Sequence, residues 1–276
     1  MEKTLRGELS QYGVKLKKAY GQNFLTDREL LSNIVSLSGV TSQDTVLEIG
    51  CGAGALTSVL SDKVKKVVGY EIDTSLKPVL NEKLKDKNNV EIVFADIMKC
   101  SLEDIENKLG EEYVMVANLP YYITTPIVMR FLENSKKIKG MVIMVQEEVA
   151  DRFCAKESSS DYGAITVAIN LRGSARKILR VGREKFTPPP NVDSAVVKID
   201  IERDKNFGVD LTKVRNVVKV AFSSRRKMLV NKVMNFYKLP RSSAEEILSR
   251  AGLSLTVRGE QLTAEDYVRL SKEIEK

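Results

Sequence analysis

Between Thr41 and about Glu148 the chain alternates short β-rich runs with helix-period stretches, and that rhythm leaves few folds open. The runs Thr45–Ile49, Lys66–Glu71, Val90–Ala95, Tyr113–Ala117 and Gly140–Val145 are separated by segments such as Ser75–Leu84 and Pro126–Leu132. The spacing predicts an α/β domain built on a doubly wound parallel sheet. Two longer apolar runs, Ala164–Leu171 and Asp193–Ile201, leave no room for a helix directly before the second. They predict an antiparallel hairpin at one edge, and so a mixed sheet.

Near Glu202–Val209 the pattern changes. Helix-period segments alone follow, at Leu211–Phe222, Lys227–Tyr237, Ala244–Ala251 and Ala264–Ile274, punctuated by Pro240 and Gly252. The expected division is a basic N-terminal arm over 1–25, a catalytic α/β domain over 26–203 and a small all-α domain over 204–276.

Composition removes whole classes of chemistry. The 276 residues include no histidine, so Ser-His-Asp and Cys-His dyads and histidine metal sites are excluded. Cys51, Cys100 and Cys154 are far apart and form no CxxC pair. Neither disulfides nor a bound metal are expected, and a reducing cytoplasm is. No apolar run approaches the roughly 18 residues of a membrane helix, and the N-terminus has no signal-peptide core. An enzyme made from this chain must rely on positioning and on a cofactor's own reactivity.

The formal charge of +7 is unevenly spread. Residues 1–25 carry +3 and residues 204–276 carry +6, while the stretch between them comes to −2. Two basic ends around a near-neutral middle suit a polyanionic partner, although a charge excess alone also fits a solvated surface. Arg225, Arg226 and Lys227, at the head of a helix-period segment, are the candidate phosphate contacts.

Glu48-Ile-Gly50-Cys-Gly52-Ala-Gly54 stands where the first strand meets the first helix, at the sheet edge where such folds bind ligands. Gly50, Gly52 and Ala55, with Glu71 further on, also fit a dinucleotide fingerprint. Glu48 suits a cationic ligand better than a pyrophosphate, and S-adenosylmethionine carries a sulfonium and an ammonium. Glu71, ending the second strand, would bind both ribose hydroxyls. Asp96, ending the third, can accept from an adenine amino group or cap the segment that follows.

Asn118-Leu119-Pro120-Tyr121 follows the fourth strand at the same edge. An adenine amine is a poor nucleophile because its lone pair is delocalised into the ring. Acceptors aimed at its hydrogens, such as the Asn118 amide and the Leu119 carbonyl, would favour a pyramidal nitrogen. Pro120 fixes the backbone, and Tyr121 can stack on the base. No strong base is required, because the methylated nitrogen is acidic enough to lose its proton to water.

Six motifs then occur in one order: Gly21-Gln-Asn-Phe-Leu25, Glu48–Gly54, Asn118-Leu-Pro-Tyr-Tyr122, Phe186-Thr-Pro-Pro-Pro190, Val192-Asp-Ser-Ala-Val196 and Arg225-Arg-Lys-Met-Leu229. Together they resemble the KsgA-type ribosomal RNA adenine dimethyltransferases. The resemblance implies a Rossmann-like S-adenosylmethionine-dependent methyltransferase, acting as a monomer on small-subunit (16S) rRNA within a pre-30S particle. Its targets would be two adjacent adenosines near the 3′ end. It further implies that Asn23, Leu25, Gly50, Glu71, Asp96 and Asn118 contact the cofactor. Phe186 would sandwich a flipped adenine against Tyr121. Ser224 and Arg258-Gly-Glu260 depart from the family's usual residues, in the helical domain. Two other readings remain: an Erm-type methyltransferase of large-subunit rRNA, and a non-catalytic assembly factor on the same fold.

Overall fold

Why these residues form these elements is plain at their ends. Asp27 accepts from Leu30 N at 3.0 Å to start one helix, which Gly39 ends in the left-handed region, and Ser101 and Asp210 cap two others. The structure is a computed structural model that describes residues 5–14, 17, 21–202, 207–224 and 226–274. Helix α1 (Leu5–Gln11) and the short strand β1 (Phe24–Leu25) precede α2 (Arg28–Ser38). Strands and helices then alternate as β2 (Thr45–Ile49), α3 (Ala55–Ser61), β3 (Lys66–Glu71), α4 (Lys77–Lys83), β4 (Val90–Phe94), α5 (Leu102–Leu109), β5 (Tyr113–Asn118), α6 (Thr124–Asn134) and β6 (Ile138–Gln146). After α7 (Glu147–Phe153) and α8 (Ala164–Asn170) come β7 (Gly173–Val181), β8 (Phe186–Thr187) and β9 (Ser194–Ile201). Four helices follow: α9 (Leu211–Phe222), α10 (Leu229–Tyr237), α11 (Arg241–Arg250) and α12 (Ala264–Ile274).

Seven strands form one sheet in the order β4-β3-β2-β5-β6-β9-β7. Pairings among β2 to β6 are parallel, whereas β9 runs antiparallel to β6. The strand order reverses between β2 and β5, which opens a crevice beyond their C-terminal ends. All five residues of β2 are buried, as a strand covered on both faces must be. The sheet is mixed, as the rhythm predicts.

One expected strand is a helix. Within Ala164–Leu171, residues Ala164–Asn170 form α8, in which Ile165, Thr166, Val167, Ala168 and Ile169 are all buried. A helix buried on every side shows no polar stripe, so its apolar run reads like a strand. The edge position belongs instead to β7, whose exposed Arg176, Lys177 and Arg180 mask its half-buried face.

Chain contacts define two units, one of residues 1–150 and 176–201, the other of 151–175 and 202–276. Residues 151–175 thus group with the helical unit, which revises the boundary expected at 204. The reason is packing. Tyr162, Val167 and Leu171 share a core with Val217, Leu229, Val233, Leu248 and Tyr267, and Tyr162 Oη donates to Leu262 O at 2.8 Å. The expected N-terminal arm belongs to the α/β unit. Leu5 and Leu9, one turn apart on α1, join Val14 and Phe24 in a core with Cys51, Leu76 and Leu80. Among the described residues no helix is long and apolar enough to cross a membrane.

Candidate active site

A cavity of about 350 Å³ opens at the C-terminal ends of β2, β3, β4 and β5. The Glu48–Gly54 turn forms its floor. Gly50 and Gly52 have φ values of 78° and 55°, the left-handed region that side chains resist. A Cβ on Gly52 would also lie 3.0 Å from the Phe24 ring. Glycine therefore lets the floor and the segment above it approach closely.

Two acids serve the floor differently. Glu71 accepts from Gly52 N and from Asp73 N, both at 2.8 Å, so backbone fixes both of its oxygens. Burial pushes its carboxyl above the ordinary range, against those two hydrogen bonds. Glu48 is 1% exposed, and its Oε2 has no hydrogen-bond partner. Burial pushes the Glu48 carboxyl up to about 8, and the neighbouring Glu71 pushes the same way. In the free protein at pH 7 Glu48 is therefore chiefly protonated. A cation placed beside it would favour the ionised form.

Asp96 follows β4 and accepts from Met98 N at 3.0 Å, a local turn that leaves its side chain on the cavity wall. Arg130, from α6, donates to the carbonyls of Ile97 and Cys100 and so holds this loop from behind. Ile72 and Met98 are exposed apolar side chains on the same wall. Apolar area left open in a cleft beside an acceptor such as Asp96 suits a flat heterocycle.

The segment Gly21–Thr26 forms the opposite wall. Asp73, buried just after β3, accepts from Gln22 Nε2 at 2.9 Å and from Lys17 Nζ at 2.5 Å. Burial alone would raise the Asp73 carboxyl. Hydrogen bonds from Lys17, Ser75 and Gln22 outweigh that and hold it below its ordinary value. At its other end the segment pairs with β8, Phe24 opposite Thr187 and Leu25 opposite Phe186. Asn23 and Leu25, both expected ligands, line the cavity from this wall. Sequence reasoning missed Lys17 and Asp73, because two isolated charges 56 positions apart give no local signal.

Asn118 ends β5 and donates from Nδ2 to Asn23 O at 3.3 Å, which leaves its Oδ1 available to the cavity. Leu119 is buried, and Pro120 turns the chain with φ −57° and ψ 129°. Tyr121 and Tyr122 begin the short turn that follows, both on the cavity wall, with Tyr122 58% exposed at its mouth. Phe186 is not brought to the cavity. It is 3% exposed and lies in a core with Leu25, Leu31, Val181 and Val196, which corrects its expected place against the base. Pairing of β8 with β1 supplies the strand that three following prolines argue against.

Of the candidate phosphate contacts, Arg225 lies outside the described residues. Arg226 and Lys227 are exposed in the turn before α10, not within the helix, and make no ion pair among the described residues. Glu245 and Glu246 are engaged by Arg241 and Arg250 on their own helix.

With this geometry in place, comparison with known proteins is decisive. A family model for ribosomal RNA adenine dimethylases matches residues 13–276. The chain belongs to that family. It is similar to the ribosomal RNA small subunit methyltransferase A of Bacillus licheniformis, 40% identical over 95% of this chain and 92% of the relative. The counterpart in Bacillus pumilus is also 40% identical, over 97% of this chain and 94% of the relative. Among solved structures, a dimethyladenosine transferase from Plasmodium falciparum superposes with a TM-score of 0.77 at 26% identity, covering 90% of this chain and 95% of that one. The 23S rRNA methyltransferase ErmE gives 0.70 at 28% identity, covering 92% and 100%. Membership in the family sets aside the dinucleotide reading of the Glu48–Gly54 turn.

Proposed function

We propose that this chain transfers methyl groups from S-adenosylmethionine to the N6 amines of two adjacent adenosines near the 3′ end of small-subunit rRNA. It does so as a monomer, in the cytoplasm, on a pre-30S particle. The observation that carries the reading is the convergence of Glu71, Asp96, Asn118 and Tyr121 on one cavity at the strand-order switch. The orphaned Glu48 Oε2 beside that floor fits a cationic ligand, and Ile72 and Met98 fit an adenine next to Asp96.

S-adenosylmethionine supplies an electrophilic methyl group on sulfur. Glu71 would hold the ribose hydroxyls, using lone pairs not committed to Gly52 and Asp73. Asp96 accepts from the cofactor's amino group. Asn118 Oδ1 and the Leu119 carbonyl accept from the target amine and turn its lone pair toward the methyl group. Bound there, the sulfonium would give up its methyl group to the amine and leave as the thioether, and the methylated nitrogen would then be acidic enough to release its proton to water. Tyr121 stacks on the extruded base and offsets its lost stacking, about 1–3 kcal/mol. Arg226 and Lys227 neutralise phosphates and position the RNA.

Relatives named for the small subunit match at 40% identity over at least 95% of this chain, which favours the small-subunit substrate. The test is incubation with undermethylated 30S subunits, free rRNA and 50S subunits, followed by mass mapping. Dimethylation of two neighbouring adenosines in the 30S sample is expected. Methylation confined to 50S subunits would make this an Erm-type enzyme.

A further inference from the structure

Tyr121 makes one side-chain hydrogen bond among the described residues, and its partner is not on the cavity wall. Its hydroxyl lies 2.8 Å from Oγ of Ser194, 73 positions further on. Ser194 is 0% exposed and is followed on β9 by the buried residues Ala195, Val196 and Val197. A hydroxyl in that setting is costly unless it is paired, and Tyr121 is the partner it finds.

Topology explains how Ser194 reaches the site. The parallel strands present their C-terminal ends to the cavity. Strand β9 is antiparallel to β6, with Ser194 opposite Gln146, and so presents its first residue there. The backbone beneath Tyr121 is closed by Ile123 N and Thr124 Oγ1, which both donate to Pro120 O. The free variable that remains is the ring itself, and Ser194 holds its tip.

We propose that Ser194 is a positioning residue: it fixes the Tyr121 ring in the orientation that stacks the target adenine, while touching neither base nor cofactor. This rests on the stacking role assigned to Tyr121 above. A ring free to swing would still bind the base, but would present the amine out of line with the methyl group in a larger share of encounters.

The experiment measures single-turnover methyl transfer on undermethylated 30S subunits, S-adenosylhomocysteine affinity by calorimetry, and melting temperature. The variants are Tyr121→Ala, Tyr121→Phe, Ser194→Ala and the Tyr121→Phe/Ser194→Ala pair. Ser194→Ala and Tyr121→Phe should each slow the step about three- to tenfold, the scale of one neutral hydrogen bond. Cofactor affinity should stay unchanged, and the double variant should be no slower than the slower single one. Slowing that multiplies in the double variant, or a Ser194→Ala enzyme as fast as the native one, overturns the proposal. Should Ser194→Ala fail to fold, Tyr121→Phe reads the same bond from its other end, and native speed there overturns the proposal equally. Tyr121→Ala separates the two levels. If it leaves the step unslowed, the stacking reading falls and takes Ser194 with it. If it slows the step while Tyr121→Phe does not, the role of Ser194 alone is wrong.

Discussion

The floor and the mouth of the cavity are built on opposite plans. On the floor, backbone and buried carboxylates do the holding: left-handed glycines at 50 and 52, and Glu71 locked by two amides. At the mouth, partly exposed side chains do it, each held at few points, as Asn118 is by Asn23 and Tyr121 by Ser194. The floor has to recognise one invariant small molecule and can be rigid at no loss. The mouth must admit a base carried on a large polyanion and release it modified, so its groups stay accessible. A change at the mouth should therefore appear in the rate of the chemical step, and a change on the floor in cofactor affinity.

The largest expected effect breaks the mouth. Asn118→Ala should slow single-turnover methyl transfer about 100- to 1,000-fold, the scale of removing one oriented polar group from a reacting centre. RNA affinity, measured by filter binding, should fall much less. An unchanged chemical step would remove Asn118 from its assigned role.

Next comes the floor. Glu71→Ala should weaken S-adenosylmethionine binding by roughly 1.5–3 kcal/mol, or about 10- to 150-fold, as for a charged hydrogen-bonded contact. Calorimetry reads this directly. Heat from NAD with none from S-adenosylmethionine or S-adenosylhomocysteine would end the cofactor assignment.

Glu48 sharpens the comparison through pH. Its folded-state value of about 8 lies above its ordinary 4.5, so across that window the folded protein keeps a proton the unfolded chain has released. Stability of the free protein should therefore fall as pH rises from about 4.5 to about 8. A cationic ligand favours the ionised form, so cofactor affinity should rise over the upper part of the window, by at most about tenfold per pH unit. Glu48→Gln should reduce both trends, leaving the part contributed by Glu71, which burial also raises. Asp73 does not interfere: its value is held below 3.8, so the stability it contributes is lost only as pH falls lower still. Affinity titrations from pH 6 to 8.5 that are parallel for both proteins would show that Glu48 does not titrate with binding.

The smallest effect should spare both ends of the cavity. Replacing Arg226 and Lys227 with alanine should reduce the log–log salt slope of RNA binding by about 1–2, one unit per lost phosphate contact. Cofactor affinity and melting temperature should stay near native, since neither side chain has an ion-pair partner among the described residues. An unaltered slope would place RNA recognition elsewhere.

Floor and mouth alike were legible in the sequence wherever their residues are contiguous. Glu48–Gly54 and Asn118–Tyr121 are contiguous, and the strands that carry them alternate with helices in a readable period. What escaped depends on residues distant in sequence. Phe186 looks like an aromatic poised for a base until Leu25 is found beside it, and Ser194 is one polar position in an apolar strand. Helix α8 hid because burial on all sides erased its period, and β7 hid because its arginines did. Lys17 and Asp73 carry meaning as a pair and none singly.

The pairing of Phe24 with Thr187 sets a constraint on how the protein is made. One wall of the cavity is synthesised about 160 residues before the strand that clamps it. Until then Gly21–Thr26 has Asp73 and Asn118 to hold it but lacks its strand partner. Such a contact of high sequence separation forms late, after loop closure has been made worthwhile by the rest of the sheet. A fragment ending before β8 should therefore fold its first five sheet strands yet give little heat with S-adenosylmethionine in calorimetry.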